Sequence, residues 1–198
     1  MSNINVIENA EASLILSQLR DLSLTSAAVR RLVKELTANL TKHVLKTPAP
    51  DEKVAVIVVL RSGLAMADPF LAAFPDDADT ATYHLGLFRE KESLRPVEYY
   101  NKLPAKSPKI KRAYILDPLV ATGGTAKAAI DILKDWGVEH ITLFALLGSE
   151  QGLKKVAGVW PEHTDVFVGA IDKDLDDKGY VKPGVGDIGD RLFGTSLG

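Results

Sequence analysis

The sequence predicts an α/β fold, a mostly parallel sheet flanked by helices, and two observations carry that expectation. Four segments are near-continuous runs of aliphatic and β-branched residues, the pattern of strands buried on both faces. Between them lie stretches whose apolar residues recur at spacings of three and four, the period of an amphipathic helix. Strands alternating with helices pair in parallel through helical crossovers.

Taken in order, the first 46 residues read as helical. Val29, Leu32, Val33, Leu36, Leu40 and Val44 form one apolar stripe over residues 26–46, and Pro48 and Pro50 end it. "KVAVIVVL" at 53–60 is the first buried strand, followed by similar runs at 113–117, 141–147 and 165–171; "ATYHLGLF" at 81–88 is a weaker fifth. Helical patterns fill 64–73, 124–136 and 151–159. Residues 92–112 break the alternation with three prolines, two adjacent tyrosines and a cluster of lysines. That stretch exceeds a crossover loop and predicts a protruding hairpin or arm. Residues 172–198 hold six glycines. A glycine-rich tail after the last strand of an open sheet is well placed for a ligand, because ligands collect at the strands' carboxyl ends.

At 198 residues, one domain spanning 1–198 is the expectation, with N-terminal helices over 1–50. No cysteine is present, which excludes disulfides, thiolate metal sites and cysteine nucleophiles. The chain has 24 Lys+Arg against 26 Asp+Glu, a net charge of −2, so no basic field invites nucleic acid or an anionic membrane. Its longest aliphatic run, 54–60, falls far short of the ~20 residues of a membrane span, and no signal peptide is visible. A cytoplasmic protein is expected. The four histidines lack metal or triad spacing. "DKDLDDK" at 172–178 lacks the glycine and glutamate of a calcium loop.

The most informative stretch is "YILDPLVATGGTA" at 114–126. It reads as an apolar strand, one acid at its end, and a Thr-Gly-Gly-Thr turn into a helix. Glycines let the backbone approach closely, successive N–H groups point inward, and the helix terminus adds partial positive charge, which together make an anion cradle. Thr122 and Thr125 add hydroxyls, and Asp117 would reach past the phosphate to sugar hydroxyls.

This stretch resembles the phosphoribosyl diphosphate (PRPP) motif of type I phosphoribosyltransferases. Where most of them carry a second acid stands Pro118, as in uracil phosphoribosyltransferases. Four more segments are similar to that family: "VLRSGLAM" (59–66), its diphosphate loop; "GLFREKESLRPVEYYNKLP" (86–104), its second arginine segment and dimer-forming arm; "GYVKPGVGDIGDRLFGT" (179–195), its uracil-recognition loop; and "LRD" (19–21) near the amino terminus.

The resemblance implies transfer of the 5-phosphoribosyl group of PRPP to uracil N1, giving UMP and diphosphate in pyrimidine salvage. Arg61, Arg89, Asp117 and Asp187 would be the catalytic residues. PRPP would be bound by these four together with Ser62, Gly63, Pro118, Leu119, Val120, Ala121, Thr122, Gly123, Gly124 and Thr125. Val181, Gly186, Asp187 and Ile188 would meet uracil, mostly through the main chain, with Gly184, Gly186 and Gly189 allowing the sharp turns. The peptide in the Arg61 loop is often cis in the family. Mg²⁺ would arrive with PRPP rather than on a protein site, since Asp117 has no acidic neighbour. A homodimer or higher homo-oligomer is implied, with room for a GTP-binding regulatory site. The family usually has a small residue in place of Ile188, and its commoner alanine and glycine are replaced by Ser62 and Ala65. Two other readings stand beside this one: a non-catalytic PRPP or nucleotide sensor, and a phosphoribosyltransferase for another base.

Overall fold

The computed structural model describes residues 3–49, 51–90 and 96–195, except the side chain of Arg89. A seven-stranded sheet forms its centre, in the order β1-β9-β7-β5-β2-β3-β4. Its strands are β1 (Ile4–Val6), β2 (Lys53–Leu60), β3 (Thr80–Arg89), β4 (Pro96–Asn101), β5 (Ile110–Leu116), β7 (His140–Ala145) and β9 (Thr164–Val168). All pair in parallel except β3 with β4. Helices α1 (Ala10–Leu19), α2 (Ser26–Val44), α3 (Leu64–Leu71), α4 (Gly124–Trp136), α5 (Glu150–Ala157) and α6 (Ile188–Phe193) accompany it. At the carboxyl ends of the strands, β6 (Leu119–Val120), β8 (Leu147–Ser149) and β10 (Ile171–Asp172) form a small second sheet. A hairpin of β11 (Asp174–Leu175) and β12 (Val181–Lys182) follows.

The continuous apolar runs are buried on both faces because alternate side chains enter two different cores. From β2, Val54, Val56 and Val58 join α1, α2 and α3 on one face; Ala55, Ile57 and Val59 join α4 and α5 on the other. Strand β5 divides likewise, with Tyr114 and Leu116 on the first face and Ala113 and Ile115 on the second. Each fully buried aliphatic side chain contributes about 1.5–3 kcal/mol, so the central strands are the most securely held part of the chain.

Helix α2 buries the stripe that its periodicity predicts, and Thr25 caps it by accepting a hydrogen bond from the Ala28 N–H at 3.3 Å. Its two buried threonines, Thr37 and Thr41, satisfy their hydroxyls on the carbonyls four residues back.

The structure corrects the reading in three places. The first residues are not all helical: Ile4–Val6 is a strand, which pairs in parallel with β9. Three residues are too few to show a period, and the strand forms because β9 offers an unpaired edge. Asn3 ties it down, donating to the carbonyls of Ala157 and Thr164 at 3.0 and 2.9 Å. The expected strand at 141–147 is two strands in two sheets, β7 and β8. The tail is not loop alone, since "IGDRLF" forms α6. Of the segment 92–112 expected to form a hairpin or arm, Pro96–Asn101 forms β4 and pairs antiparallel with β3, while residues 92–95 lie outside the described residues.

Candidate functional site

The parallel strands β2 and β5 deliver two loops to the same end of the sheet. Strand β5 ends at Leu116, and Asp117 follows with its N–H bonded to the Phe144 carbonyl at 3.3 Å. Only 6% of Asp117 is exposed. Burial pushes its carboxyl up to about 7, against a hydrogen bond from the Leu119 N–H that favours the charged form. The chain then turns through Thr122 and Gly123 into α4. Gly123 lies at φ +71°, a conformation that disfavours residues with a Cβ. Among the described residues no side chain caps α4, which suits its leading N–H groups to an anion.

This turn is braced from behind. The Ser149 hydroxyl donates to the Ala121 carbonyl at 2.6 Å while accepting from the Gly152 N–H at 2.8 Å. A Cβ on Gly152 would overlap the Ala121 carbonyl oxygen, so α5 docks this closely only because residue 152 is glycine. The second loop follows β2. Its Leu60–Arg61 peptide is cis, as the resemblance implied. Gly63 packs underneath, where a Cβ would come 2.5 Å from the Leu116 carbonyl oxygen.

Opposite these two loops stands the turn before α6. Asp187 caps that helix, its Oδ1 accepting from the Asp190 N–H at 3.0 Å, with the Tyr180 hydroxyl 3.5 Å from its other oxygen. Two arginines hold this turn against the N-terminal helices. Arg20 grips Asp172 through both carboxylate oxygens at 2.8 Å and also donates to the Gly184 carbonyl at 2.9 Å. The Gly184 N–H returns a bond to Asp172. Arg191 donates to the carbonyls of Leu19, Val185 and Asp21 at 2.6–2.8 Å. Its burial holds its pKa below the usual arginine range, opposed by the charge of Asp21.

Together these segments enclose a cavity of about 340 Å³. Its wall includes Arg61, Ser62, Asp117, Leu119 to Thr125, Gly186, Asp187 and Ile188, so most of the sequence-predicted residues meet in one place. Gly63, Pro118 and Val181 are not on that wall. Gly63 supports the loop from below, and the Pro118 carbonyl accepts from the N–H groups of Leu146 and Leu147. The Val181 side chain points into the core. Arg89 ends β3, and its side chain lies outside the described residues. Ile188 is 5% exposed and belongs to the core as well as to the wall, so its bulk is mostly absorbed by packing.

Sequence reasoning missed Ser149 and Gly152, and gave no role to Asp172, Tyr180 and Arg191 although each falls in a segment quoted above; Arg20 appeared only as the middle of "LRD". Among the described residues, no three His, Cys, Asp or Glu side chains converge as a metal site, and no helix is long and apolar enough to cross a membrane.

Residues 42–195 match the family model for uracil phosphoribosyltransferase. The chain belongs to the uracil phosphoribosyltransferase family. A uracil phosphoribosyltransferase of Desulfitobacterium hafniense is 37% identical, the match covering 98% of this chain and 100% of that protein. One from Lachnoclostridium phytofermentans is 43% identical over 82% of this chain and 75% of its own length. The urg2 protein of Schizosaccharomyces pombe is 44% identical over 99% and 92% of the two chains. Among solved structures, the AQ2163 protein of Aquifex aeolicus superposes with a TM-score of 0.88 at 27% identity, covering 98% of this chain and 100% of that one.

Proposed function

We infer that this protein is a uracil phosphoribosyltransferase, a pentosyltransferase that joins uracil N1 to C1 of PRPP and releases diphosphate to give UMP. The observation that carries this reading is the meeting of the "DPLVATGGT" turn and the "GDIG" turn across one cavity. The 5-phosphate sits on the amides and hydroxyls of residues 121–125. Asp117 holds the ribose hydroxyls, and Arg61 and Arg89 take the charge of the departing diphosphate. As the C1–O bond breaks, C1 gains oxocarbenium character, so catalysis is positioning plus leaving-group stabilisation. Carried in with PRPP, Mg²⁺ would supply charge neutralisation at the diphosphate beside Arg61. The residues present fit a metal carried by the substrate, because Asp117 is followed by Pro118 and offers a single carboxylate.

Backbone groups of residues 186–188 read the base, with Asp187 between base and PRPP. Uracil offers acceptor, donor and acceptor along O2, N3–H and O4. Cytosine reverses two of these, leaving buried backbone groups against the wrong partners, a stronger rejection than shape alone supplies. The protein acts as a single cytoplasmic domain and as a homodimer or higher oligomer. Support for assembly through the arm comes from Phe88, Tyr99 and Tyr100, which are 48, 54 and 39% exposed.

Nucleotide formation from PRPP with uracil, cytosine, hypoxanthine or 5-fluorouracil tests the reading. Uracil and 5-fluorouracil should be used, and cytosine rejected by at least about a hundredfold in kcat/KM. PRPP binding without turnover on any base would mean a sensor instead. Gly186→Val should abolish uracil use, since φ is +69° there and a Cβ would lie 3.2 Å from Leu22. Near-normal turnover by that variant would show that this turn does not read the base.

A further inference from the structure

Arg61 is not a loose arginine on a loop. Its Nη2 lies 2.8 Å from Asp190 Oδ1, and its Nη1 donates to Thr195 Oγ1 at 3.1 Å. The Thr195 hydroxyl in turn donates to Asp190 Oδ1 at 2.6 Å, closing a three-membered ring of polar contacts. The guanidinium also lies 5.8 Å from the centre of the Phe193 ring. The approach does not depend on glycine at 189, since a Cβ there would lie in ordinary contact, 3.7 Å from Nη2. The side chains of Arg61 and Asp190 remain half and one-third exposed, so the pair sits at the cavity mouth rather than in the core.

We propose that Asp190, completed by Thr195, is a positioning residue that orients Arg61 toward the diphosphate of PRPP and ties that orientation to the base-reading turn. This rests on the assignment of diphosphate to Arg61 given above. A guanidinium carries five N–H donors in a rigid fork. Asp190 and Thr195 engage one donor on each terminal nitrogen, which fixes the plane and leaves the others for phosphate oxygens. Asp190 is also the residue whose N–H is capped by Asp187, so the ring forms only when the turn 187–190 is in place. Ordering of the base turn and presentation of Arg61 are therefore one structural event. By linkage, diphosphate binding should favour the ordered turn to the same degree that the turn favours diphosphate.

A double-mutant cycle read by calorimetric titration with magnesium diphosphate tests this on the whole protein. Asp190→Asn should weaken binding about tenfold, and Thr195→Val about threefold, the range expected for one charged and one neutral contact. In the Arg61→Met background neither change should have any further effect. In steady state, Asp190→Asn should raise KM for PRPP more than KM for uracil. Equal losses with and without Arg61 would mean that Asp190 acts only through helix stability and would overturn the proposal. Unchanged or tighter binding by Asp190→Asn in the wild-type background would overturn it too, the latter showing Asp190 to be a competitor for Arg61. Should Arg61→Met itself bind diphosphate like wild type, the assignment underneath fails and the proposal with it, a result distinguishable from the other two.

Discussion

The two halves of the cavity are built by different means. The phosphate side, residues 117–125, is a local structure. Its strand, acid, glycine turn and helix are consecutive, and the brace from Ser149 and Gly152 comes from the next crossover unit. The base side, residues 184–190, takes its local support from the Asp187 cap and the Arg191–Val185 bond. It is held by Arg20 and by the carbonyls of Leu19 and Asp21, residues more than 150 positions earlier in the chain. One half is stiff because its own backbone is over-determined. The other is stiff because an ion pair and part-buried hydrogen bonds staple it to distant helices. Damage to the first half should be felt mainly as lost PRPP binding; damage to the second should be felt first on uracil and, through Arg61, less strongly on the diphosphate end of PRPP.

The largest expected effect is on the phosphate side. Gly152→Val would place a branched Cβ against the Ala121 carbonyl, which cannot move without reshaping the turn. Overpacking of this kind costs about 1–3 kcal/mol of stability. PRPP affinity should fall by more than about a hundredfold, because the amides lose their common focus. Titration with PRPP reads the outcome directly. Retained affinity would mean that the turn is not braced by α5.

A smaller effect is expected on the base side. Arg20→Met removes the partner of Asp172, whose side chain is only 8% exposed. Leaving that carboxylate unpaired should cost roughly 2 kcal/mol, less than a fully buried pair because Arg20 itself is 27% exposed. KM for uracil should rise about tenfold, at the scale of one lost charged contact, while PRPP affinity falls by a smaller factor of about threefold through the loosened contact of Arg61 with the turn. Equal losses for both substrates would erase the distinction between the two halves.

A third test concerns Asp117, where function and stability oppose each other. Its folded pKa, about 7, lies above the ordinary carboxylate value of 3.8. The folded state therefore holds a proton that the unfolded chain has already lost. Stability falls as pH rises from 3.8 through 7, and the whole cost is present above 7. Asp117→Asn removes that cost. The variant should lose turnover, yet gain on the order of 2–3 kcal/mol in stability over wild type at pH 8 relative to pH 5. Denaturant melts at the two pH values measure this. A pH-independent difference would show that burial does not hold the proton, and a kcat within about threefold of wild type would remove Asp117 as the ribose anchor.

By itself, the sequence determined the parallel sheet, the helices α2 and α4, and the phosphate turn with its lone acid. Each is written in consecutive residues, as a period, a β-branched run or a glycine spacing. The base loop was legible as the "GDIG" glycine pattern, and Arg20 as part of "LRD", though nothing in either said that they touch. Only the tertiary structure decided that Arg20 meets Asp172, 152 positions away, that Ser149 supports Ala121, and that Arg61 lands on Asp190, 129 positions on. The physical reason is that periodicity and turn chemistry act through neighbours along the chain. A side-chain pair across the fold exists only once the strand order has carried both partners to the same end of the sheet.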